Sequence, residues 1–115
     1  MNQRTRKCLE KIIEHSKKIL SYAKGYSFDD FIKDTKTLEA VAFNLGQIGE
    51  LVNLIDDKTK AEFSNIDWQG IKGLRNRIVH DYENIKHKII WSIITDDIEV
   101  LINDIEEILK TTDIP

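Results

Sequence analysis

The sequence contains one cysteine, Cys8, and one proline, Pro115, in 115 residues. A single thiol excludes an intrachain disulfide and a zinc site built from cysteines. With proline confined to the last position, no interior helix is forced to break. Glycine is sparse as well, at five positions, and no glycine- or serine-rich stretch resembles an interdomain linker or a low-complexity segment. No apolar run is long enough to span a bilayer, and the charged residues 1–7 are not followed by the apolar stretch of a secretory signal. These absences lead to the expectation of one cytoplasmic domain, residues 1–115, with no membrane attachment. What the chain does have is 41% hydrophobic and 32% charged residues, a balance that suits a soluble globular protein and is too apolar for a disordered one.

The formal net charge of −3 opposes binding to RNA or to an anionic membrane, so recognition of a polyanion has to rely on a local patch. One is present. Within residues 69–88, the five cations Lys72, Arg75, Arg77, Lys86 and Lys88 outnumber the two anions Asp81 and Glu83, whereas residues 96–115 are acidic.

Apolar spacing points to helix throughout. Leu9, Ile12, Ile13, Ser16, Ile19, Leu20 and Ala23 follow the i, i+3, i+4, i+7 rule and define a first long helix that closes at Gly25. Ser27, with Asp30 three residues later, has the spacing of a helix cap ahead of a short turn. Leu38, Val41, Ala42, Leu45, Ile48, Val52 and Ile55 mark a second long helix ending near Asp56 and Asp57, and residues 58–63 suit one or two further turns. Asp67 is positioned to cap a third main helix from 68 to about 82, with Ile71, Leu74 and Ile78 inside. After an interruption at Asn84, the isoleucine-rich segment from Ile89 to Leu109 predicts one long fourth helix. The expected fold class is all-α: a four-helix, bundle-like domain whose short connections make successive helices antiparallel neighbours.

Ala42, Gly46 and Gly49 share one face of the second helix. A glycine inside a helix costs about 1 kcal/mol relative to alanine. Close approach of another helix, from the same bundle or from a second subunit, would offset that cost.

The chemistry concentrates in residues 75–82, Arg-Asn-Arg-Ile-Val-His-Asp-Tyr. Histidine is the side chain whose ordinary titration lies nearest neutral pH, and it can take a proton from a ribose 2′-hydroxyl or return one to a leaving oxygen. Arginine stays charged and can bind a phosphate through two N–H groups, stabilising charge that builds in the transition state. His80 and Arg75 are the candidate catalytic pair. Asn76 is a polar helper, and Arg77 either contacts phosphate or is a solvated charge. Glu50 is either a surface glutamate or a partner that holds Arg75. His15 and His87 lack comparable company, and Trp68 and Trp91 read as core or interface anchors. No Asp/Glu/His cluster has the spacing of a dedicated metal site, so neither metal nor cofactor is expected. At about 100° per residue, Arg75 and His80 are turned about 140° apart on one helix. Two copies meeting across a twofold axis would bring both groups to one cleft, which favours a homodimer.

Residues 73–82, Gly-Leu-Arg-Asn-Arg-Ile-Val-His-Asp-Tyr, resemble the signature of the HEPN superfamily, an arginine followed after four to six residues by histidine, and specifically that of HepT-like toxins. Gly46-Gln47-Ile48-Gly49-Glu50 and Ile66-Asp67-Trp68-Gln69-Gly70-Ile71 resemble the same group, so the likeness runs from about Leu38 onward. The resemblance implies an all-α homodimer with ribonuclease activity, in which Arg75 and His80 are active-site residues and Asn76 assists. It also implies a partner, a nucleotidyltransferase antitoxin of the MNT type that silences the toxin by transferring AMP to Tyr82 and can build a larger assembly with the dimer. Glu83 departs from the group, where an aromatic residue often follows the tyrosine. Three readings follow: a metal-independent ribonuclease toxin acting on RNA, a catalytically silent helical module that docks a nucleotidyltransferase or a nucleotide, or a plain dimeric scaffold. Without the family, Tyr82 reads as a ring packed at a helix end.

Overall fold

A computed structural model describes residues 1–111, and Pro115, with Asp113 of the acidic segment, lies outside them. Each of the first five helices begins where a short polar side chain satisfies an otherwise unpaired backbone N–H. In α1 (Gln3–Ala23) the Asn2 side-chain Oδ1 accepts from the Thr5 N–H at 2.8 Å, and the chain turns away through Gly25, whose φ of +80° favours glycine. Ser27 and Asp30 form a reciprocal capping box at α2 (Phe28–Lys33). Asp34 then caps α3 (Thr35–Asn53), accepting from the Thr37 N–H at 3.1 Å and the Thr37 hydroxyl at 2.8 Å. The Tyr26 phenol donates to the same carboxylate at 2.5 Å. These donors, Tyr26 foremost, hold the Asp34 carboxyl below the usual carboxylate range. Asp56, expected only as the end of the preceding helix, caps α4 (Asp57–Glu62), and Asp67 caps α5 (Trp68–Asp81) as its position predicts.

A 3₁₀ turn at Tyr82–Asn84 ends α5 and leads to α6 (His87–Ser92) and α7 (Ile98–Thr111), which are joined by a π turn at Ile93–Asp97. The sequence predicts one uninterrupted helix here, and the spacing of its buried residues explains the difference. Ile90, Ile94, Ile98 and Ile102 recur every four positions. In a regular helix each such step drifts by about 40°. A wider turn absorbs the drift and keeps the isoleucines on one face. Thr95 and Ser92 serve the widened turn: the Thr95 hydroxyl donates to the Trp91 carbonyl at 3.1 Å and the Ser92 hydroxyl to Asp96 at 3.1 Å.

Helix α3 is central, with α1 against one side and α5 against the other, while α7 packs on α1. Leu9, Ile12 and Ile19 from α1, Val41, Ile48 and Val52 from α3, and Ile90 and Ile105 are fully buried between these layers. Trp91 lies 5.2 Å from Phe31 and 6.2 Å from Phe28, ring centre to ring centre, and so anchors α6 beside α2. Trp68 is buried, and its indole N–H donates to the carbonyls of Lys60 and Phe63. Both tryptophans are core anchors.

The expectation that successive long helices are neighbours holds for α1 with α3 and for α3 with α5, but not for α5 with α7. The Trp91 anchor returns the chain to the α1 side of the bundle. An apolar groove of about 440 Å³ is left between α5 and α7, floored by Leu45 and Ile48 of α3. Among the described residues there is no strand, and no helix is long and apolar enough to cross a membrane.

Candidate functional site

The contact between α3 and α5 organises the site. A Cβ placed on Gly49 would fall onto the Cβ of Arg75, 2.6 Å from its Cγ and 3.4 Å from its Cα, so only glycine lets α5 come this close. One turn away, Gly46 is less constrained: a Cβ there would lie 3.8 Å from Ile78 Cγ2, an ordinary contact. The helix that approaches the glycine face therefore belongs to the same chain.

This approach half-buries the Arg75 side chain and aims its guanidinium at the residue after Gly49. Arg75 Nη2 donates to Glu50 Oε1, and Arg75 Nη1 donates to Asn76 Oδ1 at 3.0 Å. Arg75 Nε is buried and has no hydrogen-bond partner among the described residues. The Arg75 side chain retains 22% of its exposure and that of Glu50 46%, so the pair sits at the rim of the helix contact rather than within the core.

His80, in the last turn of α5, is exposed, and its side chain makes no hydrogen bond or ion pair with another described residue. Arg77 is likewise exposed. The structure thus brings Arg75, Asn76 and Glu50 together in one chain and leaves His80 and Arg77 outside that group. Val79, 54% exposed, stands beside His80, and Phe43 on α3 is 63% exposed. Helical pattern alone does not single out Phe43, since it lies off the apolar stripe of α3.

Tyr82 is half-buried against the core at the start of the 3₁₀ turn. Burial, and secondarily the Glu39 carboxylate, push its phenol above the ordinary value of 10.0. The phenol keeps its proton at neutral pH, so transfer onto its oxygen requires a base to remove it. His15 has a partner the sequence did not suggest. Its Nδ1 donates to Oδ1 of the buried Asn44 at 2.7 Å, and the Asn44 amide donates to the Ala40 carbonyl at 2.8 Å. That makes it a satisfied histidine between α1 and α3. Among the described residues no three His, Cys, Asp or Glu side chains converge as a metal-ligand group.

Residues 12–108 match the ribonuclease HepT-like family. The chain belongs to that family. Among HepT-like relatives, a protein from Methanocaldococcus jannaschii, provisionally named an RNase, is 35% identical over 99 residues, covering 86% of this chain and 82% of its own. Another provisionally named RNase, from Caldanaerobacter subterraneus subsp. tengcongensis, is 32% identical over 102 residues, covering 89% and 91%. A Thermococcus cleftensis protein, provisionally named ribonuclease HepT, is 29% identical over 102 residues, covering 89% and 93%. No solved structure matches the chain. The HepT-like assignment rests on nearly the whole sequence and includes both α3 and α5, the helices that carry the candidate site.

Proposed function

We propose that this HepT-like chain is the ribonuclease toxin of a toxin–antitoxin pair, cutting RNA without a metal ion at a composite site between two copies. The observation that carries the reading is a guanidinium fixed at the rim of α5 and an unpartnered imidazole on the same helix, in a chain of a ribonuclease family. In the proposed reaction His80 removes the proton from a ribose 2′-hydroxyl. The 2′-oxygen then attacks the adjacent phosphorus, and the 5′-oxygen leaves with a proton, so the products are a 2′,3′-cyclic phosphate and a free 5′-hydroxyl. Arg75 stabilises the extra negative charge on the phosphorane oxygens. Lys72, Arg77, Lys86 and Lys88 supply local attraction for the RNA backbone.

The two groups point about 140° apart on one helix. A second copy is therefore needed to complete the site, and the exposed Val79 and Phe43 supply apolar surface for the contact. Silencing is proposed at Tyr82: a cytoplasmic nucleotidyltransferase partner joins the phenol oxygen to the α-phosphorus of ATP, and pyrophosphate leaves.

Purified protein incubated with single-stranded RNA in excess chelator is expected to yield fragments ending in 2′,3′-cyclic phosphate. Cleavage that disappears in chelator would contradict the metal-independent route. No cleavage under any ionic condition would favour the silent docking module. With the partner and ATP, intact-mass measurement is expected to add one AMP to the wild type and nothing to Tyr82→Phe. An equal gain in both would move the modification elsewhere.

A further inference from the structure

The geometry points to Glu50 as a positioning residue, one that holds the Arg75 guanidinium in the orientation that receives the scissile phosphate and yields part of its own charge interaction when RNA binds. The inference rests on the ribonuclease reading above and assigns a task to a residue outside the arginine-histidine motif.

Three features of the α3–α5 contact support it. Gly49 removes any Cβ that would push the two helices apart, so the stem of Arg75 lies directly on the α3 backbone and its head emerges next to Glu50. Nε is buried and unpartnered among the described residues, which leaves only the two terminal nitrogens to orient the head. Those nitrogens are held from different sides, Nη2 by Glu50 from α3 and Nη1 by Asn76 from α5. Each terminal nitrogen carries a second N–H that can donate to a phosphate oxygen.

A purely structural role is a poor account of the pair. Glu50 keeps 46% of its side-chain exposure, and ion pairs at such positions add little to stability. Orientation is different, because a displacement of about 1 Å of a charge-stabilising group can cost about 10²-fold in rate. The carboxylate also competes with the phosphate for the same cation. Removing its charge while retaining an acceptor oxygen separates the two effects.

The test measures single-turnover cleavage, RNA affinity and thermal unfolding for wild type, Glu50→Gln and Glu50→Ala, with Arg75→Ala and His80→Ala alongside. Glu50→Ala is expected to unfold near the wild-type temperature and to cleave about 10²-fold more slowly. Glu50→Gln keeps an oxygen at the same reach and is expected to stay within about threefold of the wild-type rate, with RNA bound about two- to fivefold more tightly as one competing surface charge is lost. The inference is overturned if Glu50→Ala cleaves at the wild-type rate, or if Glu50→Gln is as slow as Glu50→Ala, provided Arg75→Ala and His80→Ala abolish cleavage. If those two variants cleave normally, the ribonuclease reading itself fails.

Discussion

His80→Ala is expected to reduce RNA cleavage by about 10²- to 10⁴-fold, the usual contribution of a positioned acid or base, with little change in thermal stability. The second half of that expectation follows from the surroundings of His80, whose exposed side chain is bonded to no described residue. Surface substitutions of that kind usually stay within about 0.5 kcal/mol. Arg75→Ala is expected to cost at least as much activity. A mixture of the two variants carries the strongest information. If Arg75 of one copy works with His80 of the other, a dimer containing one of each variant has one complete site and one empty of both groups. Random reassociation of equal amounts then restores roughly a quarter of the wild-type activity, from about half the dimers with one site of two. Sites contained within single chains would restore none. A mixture as inactive as its components, under conditions where subunit exchange is demonstrated, would rule out the composite site.

Substituting alanine at two glycines one turn apart is expected to move stability in opposite directions. At Gly46 the added methyl meets only Ile78 at an ordinary distance, and replacing an interior helical glycine yields up to about 1 kcal/mol. At Gly49 the same methyl collides with the Cβ and Cγ of Arg75 and also crowds its Cα, so side-chain rotation alone cannot relieve it. Overpacking of this type costs about 1–3 kcal/mol. In a domain of this size each kcal/mol lowers the melting temperature by roughly 4–8 °C. Because the methyl pushes on Arg75, the proposed catalytic arginine, Gly49→Ala is expected to lose cleavage as well as stability, in contrast to His80→Ala, which is expected to lose cleavage alone. Melting curves and cleavage rates for both glycine variants check this. A Gly49→Ala protein as stable and active as wild type would mean that α5 has room to retreat.

Most of this architecture was legible in the residues because it depends on local chemistry. Short polar residues ahead of apolar periodicity marked the caps at Ser27 and Asp67, and Gly25 marked the end of α1. Gly46 and Gly49 announced a close helix contact, although only the fold identifies α5 as the neighbour and ranks the two positions. The pairing of Glu50 with Arg75 is a contact between residues 25 positions apart, which single-helix geometry suggests only as one alternative among several. The π turn was less accessible, since four-residue spacing of isoleucines in 90–102 looks like an ordinary amphipathic helix until the drift is added up. The failure of α7 to pack on α5 was not readable from periodicity, because it depends on where Trp91 finds its aromatic partners. The motif residues stood out by chemical type, whereas the proposed completion of the site by a second copy is a property of assembly that a single chain does not display.

Of the long helices, only α3 packs closely on α5. The segment that bears Arg75 and His80 is thus held along one edge, like a door leaf, apart from the α3–α1–α7 stack. Local opening of an element held this way is expected to cost less than opening the buried isoleucine layers behind it, which hydrogen exchange along α5 would register as weaker protection.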